Sequence, residues 1–224
     1  MTSRHALVLA DGALDDATLL DRSWPGWSDG VDLVIAADGG ARHAAAVGLR
    51  IDRWVGDGDS IAPGDLERLA AEGVRIDRAP VDKDETDAEL AVRAALDADP
   101  ARITILGALG GERLDHELGN VWLLAHPGLD GRAAVLLDGG SRIRLAGPGV
   151  VDLAGRVGDV VSLLPFGGDA LGITTHGLRY PLSGEPLRLG PSRGLSNVRD
   201  ATDAGLTLMG GRLLIVETPA RLRA

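Results

Sequence analysis

Apolar and polar positions follow one another in two different rhythms along this chain, and the change falls near residue 141. Up to about residue 138, short apolar runs are separated by longer stretches with helical spacing. Residues 5–10, 32–37, 53–56, 74–78, 102–106 and 133–138 predict strands. Residues 41–47, 63–72, 86–97 and 115–125 predict helices. Strands alternating with helices imply a parallel sheet with helices on both faces. Ligands of such sheets bind outside the carboxyl ends of the strands. Asp38-Gly39-Gly40, Gly56-Asp57-Gly58-Asp59 and Gly107-Ala108-Leu109-Gly110-Gly111 all follow strands and are expected to gather on one edge.

Beyond residue 141 no helical period survives. Short β-like runs at 160–164, 171–175, 178–182, 186–189, 206–209 and 213–217 are separated by Gly, Pro and Asp. That pattern predicts a small antiparallel sandwich. The expected fold class is therefore α/β. A three-layer, parallel-sheet catalytic domain spans residues 1–146, and a β-sandwich domain spans 147–224, with the boundary at Gly147-Pro148-Gly149. Residues 221–224 read as a frayed tail.

Composition narrows the picture. The chain has 224 residues, enough for one large domain or two small ones, and at 45% apolar content it can form a core. It has only one Tyr, one Phe and four Trp, so that core must be built from Leu, Val, Ile and Ala. With no cysteine, disulfides and thiolate metal sites are excluded. No apolar run is long enough to span a membrane, and no basic-then-apolar signal pattern opens the chain, so a cytoplasmic protein is expected. The net charge of −10 argues against nonspecific binding to nucleic acid or anionic membrane. The acidity is concentrated in residues 1–146, and the remainder is nearly balanced.

That acidic half carries the candidate chemistry. Asp57 and Asp59 stand two apart after an apolar approach, so on a strand they face one point. Two such carboxylates suit a hard divalent cation; a plain polar turn is the other reading. Downstream, Asp82 to Asp87 is a charged cluster opening a helix, with Thr86 and Glu89 in capping-box spacing. A helix N-terminus suits a phosphate, and Asp87 in its first turn can reach the same cation or simply complement the helix dipole. Lys83 is the only lysine of the chain; every other permanent cation is arginine. Its place in this cluster suggests a need for a compact ammonium. In the third stretch, Arg113 offers a fork for phosphate, while Asp115 and His116 can orient a substrate or shuttle a proton. An N-cap followed by a surface histidine is the alternative there.

Together these stretches resemble the thiamine pyrophosphokinase family. The resemblance runs over nearly the whole chain: ADGGA from Ala37, GDGDS from Gly56, KDETD from Lys83, GALGGERLDH from Gly107, TTHGLRYPL from Thr174 and GLSN from Gly194. It implies transfer of pyrophosphate from ATP to the hydroxyl of thiamine, giving thiamine diphosphate and AMP. It further implies a homodimer, with thiamine held between the catalytic domain of one chain and the β domain of the other. By resemblance, Asp57, Asp59 and Asp87 hold Mg²⁺. Lys83, Thr86, Arg113 and His116 serve ATP, with Asp38, Gly39 and Gly40 nearby. Ser196 and Asn197 face thiamine, with Tyr180 as the aromatic beside it. Asp87 or Asp115 accepts the hydroxyl proton. The chain departs from the family pattern at Glu112, which intrudes before Arg113, and at Gly58, where the family often has Phe.

Other signatures are absent: there is no P-loop, dinucleotide fingerprint, zincin helix or nucleophile elbow. Two alternatives stand beside the main reading. One is a pyrophosphokinase for another small alcohol such as a hydroxymethylpterin, and the other a catalytically silent nucleotide-binding regulator.

Overall fold

The computed structural model describes residues 4–14 and 17–220. The expected tail at 221–224 lies outside the described residues. The chain divides into two compact units, one up to Gly139 and one from Gly140. The division precedes the expected boundary at 146/147 because the strand at Arg142–Ala146 hydrogen-bonds to Leu213–Thr218, a strand of the second unit.

The first unit contains, in order, β1 (His5–Leu9), α1 (Ala17–Ser23), β2 (Val31–Ala37), a 3-10 turn (Asp38–Arg42), α2 (His43–Ala46), β3 (Arg53–Gly56), α3 (Pro63–Ala71), β4 (Arg75–Arg78), α4 (Asp87–Leu96), β5 (Arg102–Leu106), α5 (Leu114–Leu123) and β6 (Ala133–Leu137). Its strands run β6-β5-β1-β2-β3-β4, with every neighbouring pair parallel. The order reverses at β1, which has β2 on one side and β5 on the other. The loops after β1 and β5 therefore flank the crevice where parallel sheets bind ligands.

Strand alternation divides the core between the two faces. Leu7, Leu9, Val34, Ala36 and Trp54 pack on one side with Leu20 of α1, Ala44 of α2, and Leu66 and Leu69 of α3. α4 covers β1, β2 and β3 and buries Ala91, Val92, Ala94 and Ala95. Its small residues let it lie close to the sheet. α3 begins with a proline, whose missing N–H costs nothing at that position. Buried His5 packs Nε2 against Thr104 Oγ1 at 2.9 Å and Nδ1 near Arg102 Nη2 at 2.8 Å, tying β1 to β5. Burial, with Arg102 assisting, holds its imidazole below the usual histidine range. α1 was not expected from the sequence, and the expected helix at 41–47 is a 3-10 turn running into the short α2.

The second unit comprises β7 (Arg142–Ala146), β8 (Gly149–Asp152), β9 (Val160–Pro165), β10 (Ala170–His176), β11 (Glu185–Leu187), β12 (Asn197–Val198), β13 (Gly205–Leu208) and β14 (Leu213–Thr218). β7, β14, β9 and β12 form one antiparallel ladder, and β8, β13, β10 and β11 a second. Residues of both sheets share one core, including Val161, Leu163, Ile173, Leu206, Leu208 and Ile215. This is the expected β-sandwich. The expected strand at 178–182 is not one. Gly177 takes φ +67, Leu178 makes a single bridge to Arg199, and Pro181 has no N–H to extend a ladder. Among the described residues, no helix is long and apolar enough to cross a membrane.

Candidate active site

The loops after β1, β2, β3 and β5, together with residues 81–88 and the start of α5, enclose a cleft of about 1100 Å³ in the first unit. Asp38, Asp57, Asp59, Gly110 and Gly111 all line it, so the three glycine-bearing stretches do meet on one edge. Nine carboxylates line the cleft against three permanent cations, Arg42, Lys83 and Arg113. A polyanion entering such a cleft needs positive charge brought with it.

Asp38 is the most constrained group there. It follows β2 with φ +43, a left-handed conformation uncommon outside glycine, and is 3% exposed. The fully buried Trp54 donates Nε1–H to the Asp38 carbonyl at 3.0 Å, so a core side chain fixes this turn. Ser60 N–H donates to Asp38 Oδ2 at 3.1 Å, while Oδ1 is buried without a partner. Burial pushes this carboxyl up to about 6, with the charges of Asp59 and Asp87 adding to the effect and the Ser60 amide opposing it. Gly56 leaves room for it, since a Cβ there would stand 2.8 Å from Asp38 Cβ.

Asp57 Oδ1 accepts the Asp59 N–H at 3.1 Å, and Ser60 Oγ donates to Asp59 Oδ1 at 2.8 Å. Gly58 between the two takes φ +88, where a side chain would be strained. Oxygens of Asp38, Asp57 and Asp59 lie within 4.8 Å of one another, close enough to share one cation. Asp87 stands outside that trio. Its Oδ1 lies 3.2 Å from Lys83 Nζ, which also donates to Asp57 Oδ2 at 2.6 Å. Lys83 thus sits between Asp57 and Asp87. Burial alone would lower its pKa, but the two carboxylates outweigh that and hold it above the usual lysine value. The same contact holds Asp57 below the usual carboxylate range, while burial raises Asp87 despite Lys83.

Thr86 caps α4 as the sequence predicts, its Oγ1 accepting the Glu89 N–H at 3.2 Å. Thr86, Arg113 and His116 line the cleft. Gly39 and Gly40 lie beneath it rather than on its lining. A Cβ on Gly39 would strike the Asp11 carboxylate, and one on Gly40 the Leu9 carbonyl. Asp115 is also outside the lining; it is exposed and paired with Arg113 Nη2 at 2.5 Å, which holds its carboxyl low.

Arg42 and Asp11, both on the lining, escaped the sequence reading. Arg42 forms an ion pair with Asp11 and donates to the carbonyls of Asp11 (2.5 Å), Gly12 (3.1 Å) and Gly39 (3.1 Å), locking the loop after β1 to the turn after β2. The signal was present: Asp11-Gly12 follows a strand just as Asp38-Gly39 does.

In the second unit, Tyr180 is 64% exposed. Ser196 is exposed at φ +58, and its N–H donates to Ser162 Oγ at 3.0 Å. Asn197 is buried, and its amide is occupied by protein: Nδ2 donates to Tyr180 O at 2.7 Å, and Oδ1 accepts from Tyr180 N at 3.0 Å and Val198 N at 2.9 Å.

Residues 27–137 match the family described as thiamin pyrophosphokinase, catalytic domain. Residues 150–208 match thiamin pyrophosphokinase, vitamin B1 binding domain. Thiamine pyrophosphokinase of Bacillus subtilis (strain 168) is 32% identical over 174 residues, which cover 77% of this chain and 80% of that protein. The chain belongs to the thiamin pyrophosphokinase family. The crystal structure of the Bacillus subtilis thiamine pyrophosphokinase has a TM-score of 0.83 to this fold at 29% identity, covering 96% of this chain and 99% of that one. The thiamin pyrophosphokinase of Geobacillus thermodenitrificans has a TM-score of 0.79 at 25% identity, covering 96% and 97%. Asp38, Asp57, Asp59, Lys83 and Asp87 fall inside the stretch matched to the family's catalytic domain, while Asp11 precedes it. Tyr180, Ser196 and Asn197 fall inside the stretch matched to its B1 binding domain.

Proposed function

We propose that this chain transfers a pyrophosphoryl group from ATP to the primary hydroxyl of thiamine, giving thiamine diphosphate and AMP. One pairing carries the reading: a strand-end cleft with carboxylates around a single lysine, on the same chain as a match to a vitamin B1 binding domain. That match also disfavours a pterin alcohol as the acceptor. A silent regulator would have no use for a buried carboxylate with a partnerless oxygen beside two more.

The donor set of Asp38, Asp57 and Asp59 is carboxylate oxygen throughout, which suits a hard cation such as Mg²⁺. When bound, the ion would neutralise charge on the phosphate oxygens. Lys83 leaves its carboxylate partners to meet the same oxygens, and Thr86, Arg113 and His116 orient the nucleotide along the cleft. Release of Lys83 frees Asp87, whose raised pKa suits it to accept the hydroxyl proton. Asp115, held low by Arg113 and off the lining, is not the base in this scheme. In this reading the protein is a cytoplasmic homodimer, each thiamine site drawing on both chains.

The test is incubation of the purified protein with ATP, Mg²⁺ and thiamine. AMP and thiamine diphosphate in equal amounts are expected. ADP with thiamine monophosphate would refute pyrophosphoryl transfer, and turnover of a hydroxymethylpterin but not thiamine would move the chain to the other acceptor.

A further inference from the structure

Asn197 sits within a segment that zips antiparallel onto residues 178–180. Leu178 bridges Arg199, and Arg179 N–H donates to Val198 O at 2.9 Å. At the next rung Asn197 supplies its side chain in place of backbone. Nδ2 and Oδ1 satisfy both the carbonyl and the amide of Tyr180, as an opposing peptide group would. Oδ1 also accepts Val198 N–H, so the carboxamide is fixed at both ends. Ser196, turned to φ +58 and tied to Ser162 Oγ, sets the direction from which Asn197 reaches in. Beyond this rung Pro181 has no N–H to offer.

The consequence is an exposed ring on a fixed backbone. Among the described residues, the Tyr180 hydroxyl has no hydrogen-bond partner, and the residue is 64% exposed. An exposed aromatic whose backbone is held in place supplies contact area at reduced entropic cost when a flat ligand arrives. We infer that Asn197 is a positioning residue that sets the Tyr180 ring for the acceptor substrate and does not touch that substrate itself. The inference rests on the proposed thiamine reading for the identity of the ligand and on the hydrogen bonds above for the positioning.

Two measurements test it together. The chain has one tyrosine, so protein grown with 3-fluorotyrosine gives one fluorine resonance. Asn197→Ala should shift and sharpen it, and Asn197→Asp, which keeps the acceptor but loses the donor, should fall between. The aspartate variant carries the test if the alanine variant does not fold. The second measurement is a cycle of thiamine KM values for Asn197→Ala, Tyr180→Ala and the double variant. If Asn197 acts through Tyr180, the double variant matches Tyr180→Ala within about two-fold, because residues acting as one unit are not additive. Asn197→Ala alone should raise thiamine KM by about ten-fold with kcat little changed, roughly the loss of one well-made interaction. An unmoved fluorine signal, or a double variant equal to the product of the single effects, would overturn the inference. A wild-type chain that makes no thiamine diphosphate overturns the proposed function instead, and the fluorine signal then decides alone whether Asn197 sets the ring.

Discussion

Replacing Lys83 by methionine should make the cation-free protein less stable and, at the same time, make it bind Mg²⁺ more tightly. The substitution keeps the length of the stem and removes the ammonium that lies 2.6 Å from Asp57 Oδ2 and 3.2 Å from Asp87 Oδ1. The Lys83 and Asp57 side chains are 10% and 8% exposed, but they line an open cleft. The pair is thus intermediate between a surface ion pair, worth about 0–1 kcal/mol, and a buried one, whose disruption costs about 3–5 kcal/mol. A loss of about 2 kcal/mol follows, or a fall in Tm of about 4–8 °C for a chain of this size. The carboxylates left unpaired then attract a cation that no longer has to displace the lysine. Without nucleotide, the Mg²⁺ dissociation constant should fall by about ten-fold or more, equivalent to at least about 1.4 kcal/mol. Thermal unfolding across Mg²⁺ concentrations reads both effects. At ten times its dissociation constant the ion should restore about 1.4 kcal/mol to the variant. Equal Tm and equal Mg²⁺ midpoints in variant and wild type would refute the reasoning, leaving Lys83 as a solvated charge.

Further outcomes follow from the same geometry. Lys83→Arg keeps the charge but replaces a compact ammonium with a planar fork, and should lose about 10²-fold in kcat at saturating thiamine with a much smaller change in the ATP KM. Asp59→Asn should cut turnover by orders of magnitude while leaving the unfolding temperature nearly unchanged, checked by parallel assay and calorimetry. Trp54→Phe retains most of the buried ring but strands the Asp38 carbonyl, costing about 1–3 kcal/mol by denaturant titration and weakening Mg²⁺ binding. His5 is held neutral by burial, so its folded pKa lies below the unfolded value of 6.5. Its contribution is complete above 6.5 and is lost as pH falls from there through the folded value, where the unfolded chain binds the extra proton. His5→Gln should therefore show a shallower loss of stability than wild type between pH 6.5 and the folded pKa.

The fold was legible where side-chain period and burial agree. β1, β2 and β5 are nearly uniform apolar runs because a parallel sheet is covered on both faces, and α4 declared itself through its cap and its Ala-rich face. β7 was not recognised as a strand. Its sequence Arg-Ile-Arg-Leu-Ala carries two arginines on the same side as Ala146, and that alternation suggests a solvated edge. The structure turns both arginines toward Glu217, a buried carboxylate on β14 that lies 2.7 Å from Arg142 and 3.7 Å from Arg144. A charge that faces another charge more than seventy residues away leaves no local signature. Residues 178–182 failed for the opposite reason: a run with Leu178, Tyr180 and Leu182 resembles a strand, but Gly177 and Pro181 confine it to a turn held by Asn197, Val198 and Arg199.

The same distinction between local and distant causes runs through the active site. Asp57 and Asp59 could be paired from their spacing, although the cause differs from the strand alternation expected: β3 ends at Gly56, and the two converge through a turn in which Gly58 takes φ +88 and Asp57 Oδ1 accepts the Asp59 N–H. Asp87 was grouped with them for its place in a helix's first turn, which fixes its height above the sheet but not which neighbour it faces. In the folded unit Lys83 intervenes, and Asp38 takes the position beside Asp57 and Asp59. The place of Asp38 after a strand announces the shared edge, but not the contact with Asp57 and Asp59. Its left-handed turn is held by an indole sixteen positions later, its burial by Gly56, and its free oxygen by the absence of any donor within reach. A carboxylate kept in such a position, with its pKa raised to about 6, is unfavourable on its own and becomes favourable when a cation arrives. It is the grouping that suits a cation, three carboxylates with oxygens within 4.8 Å of one another; a partnerless oxygen alone would not, since Glu217 Oε1 in the second unit is also buried without one.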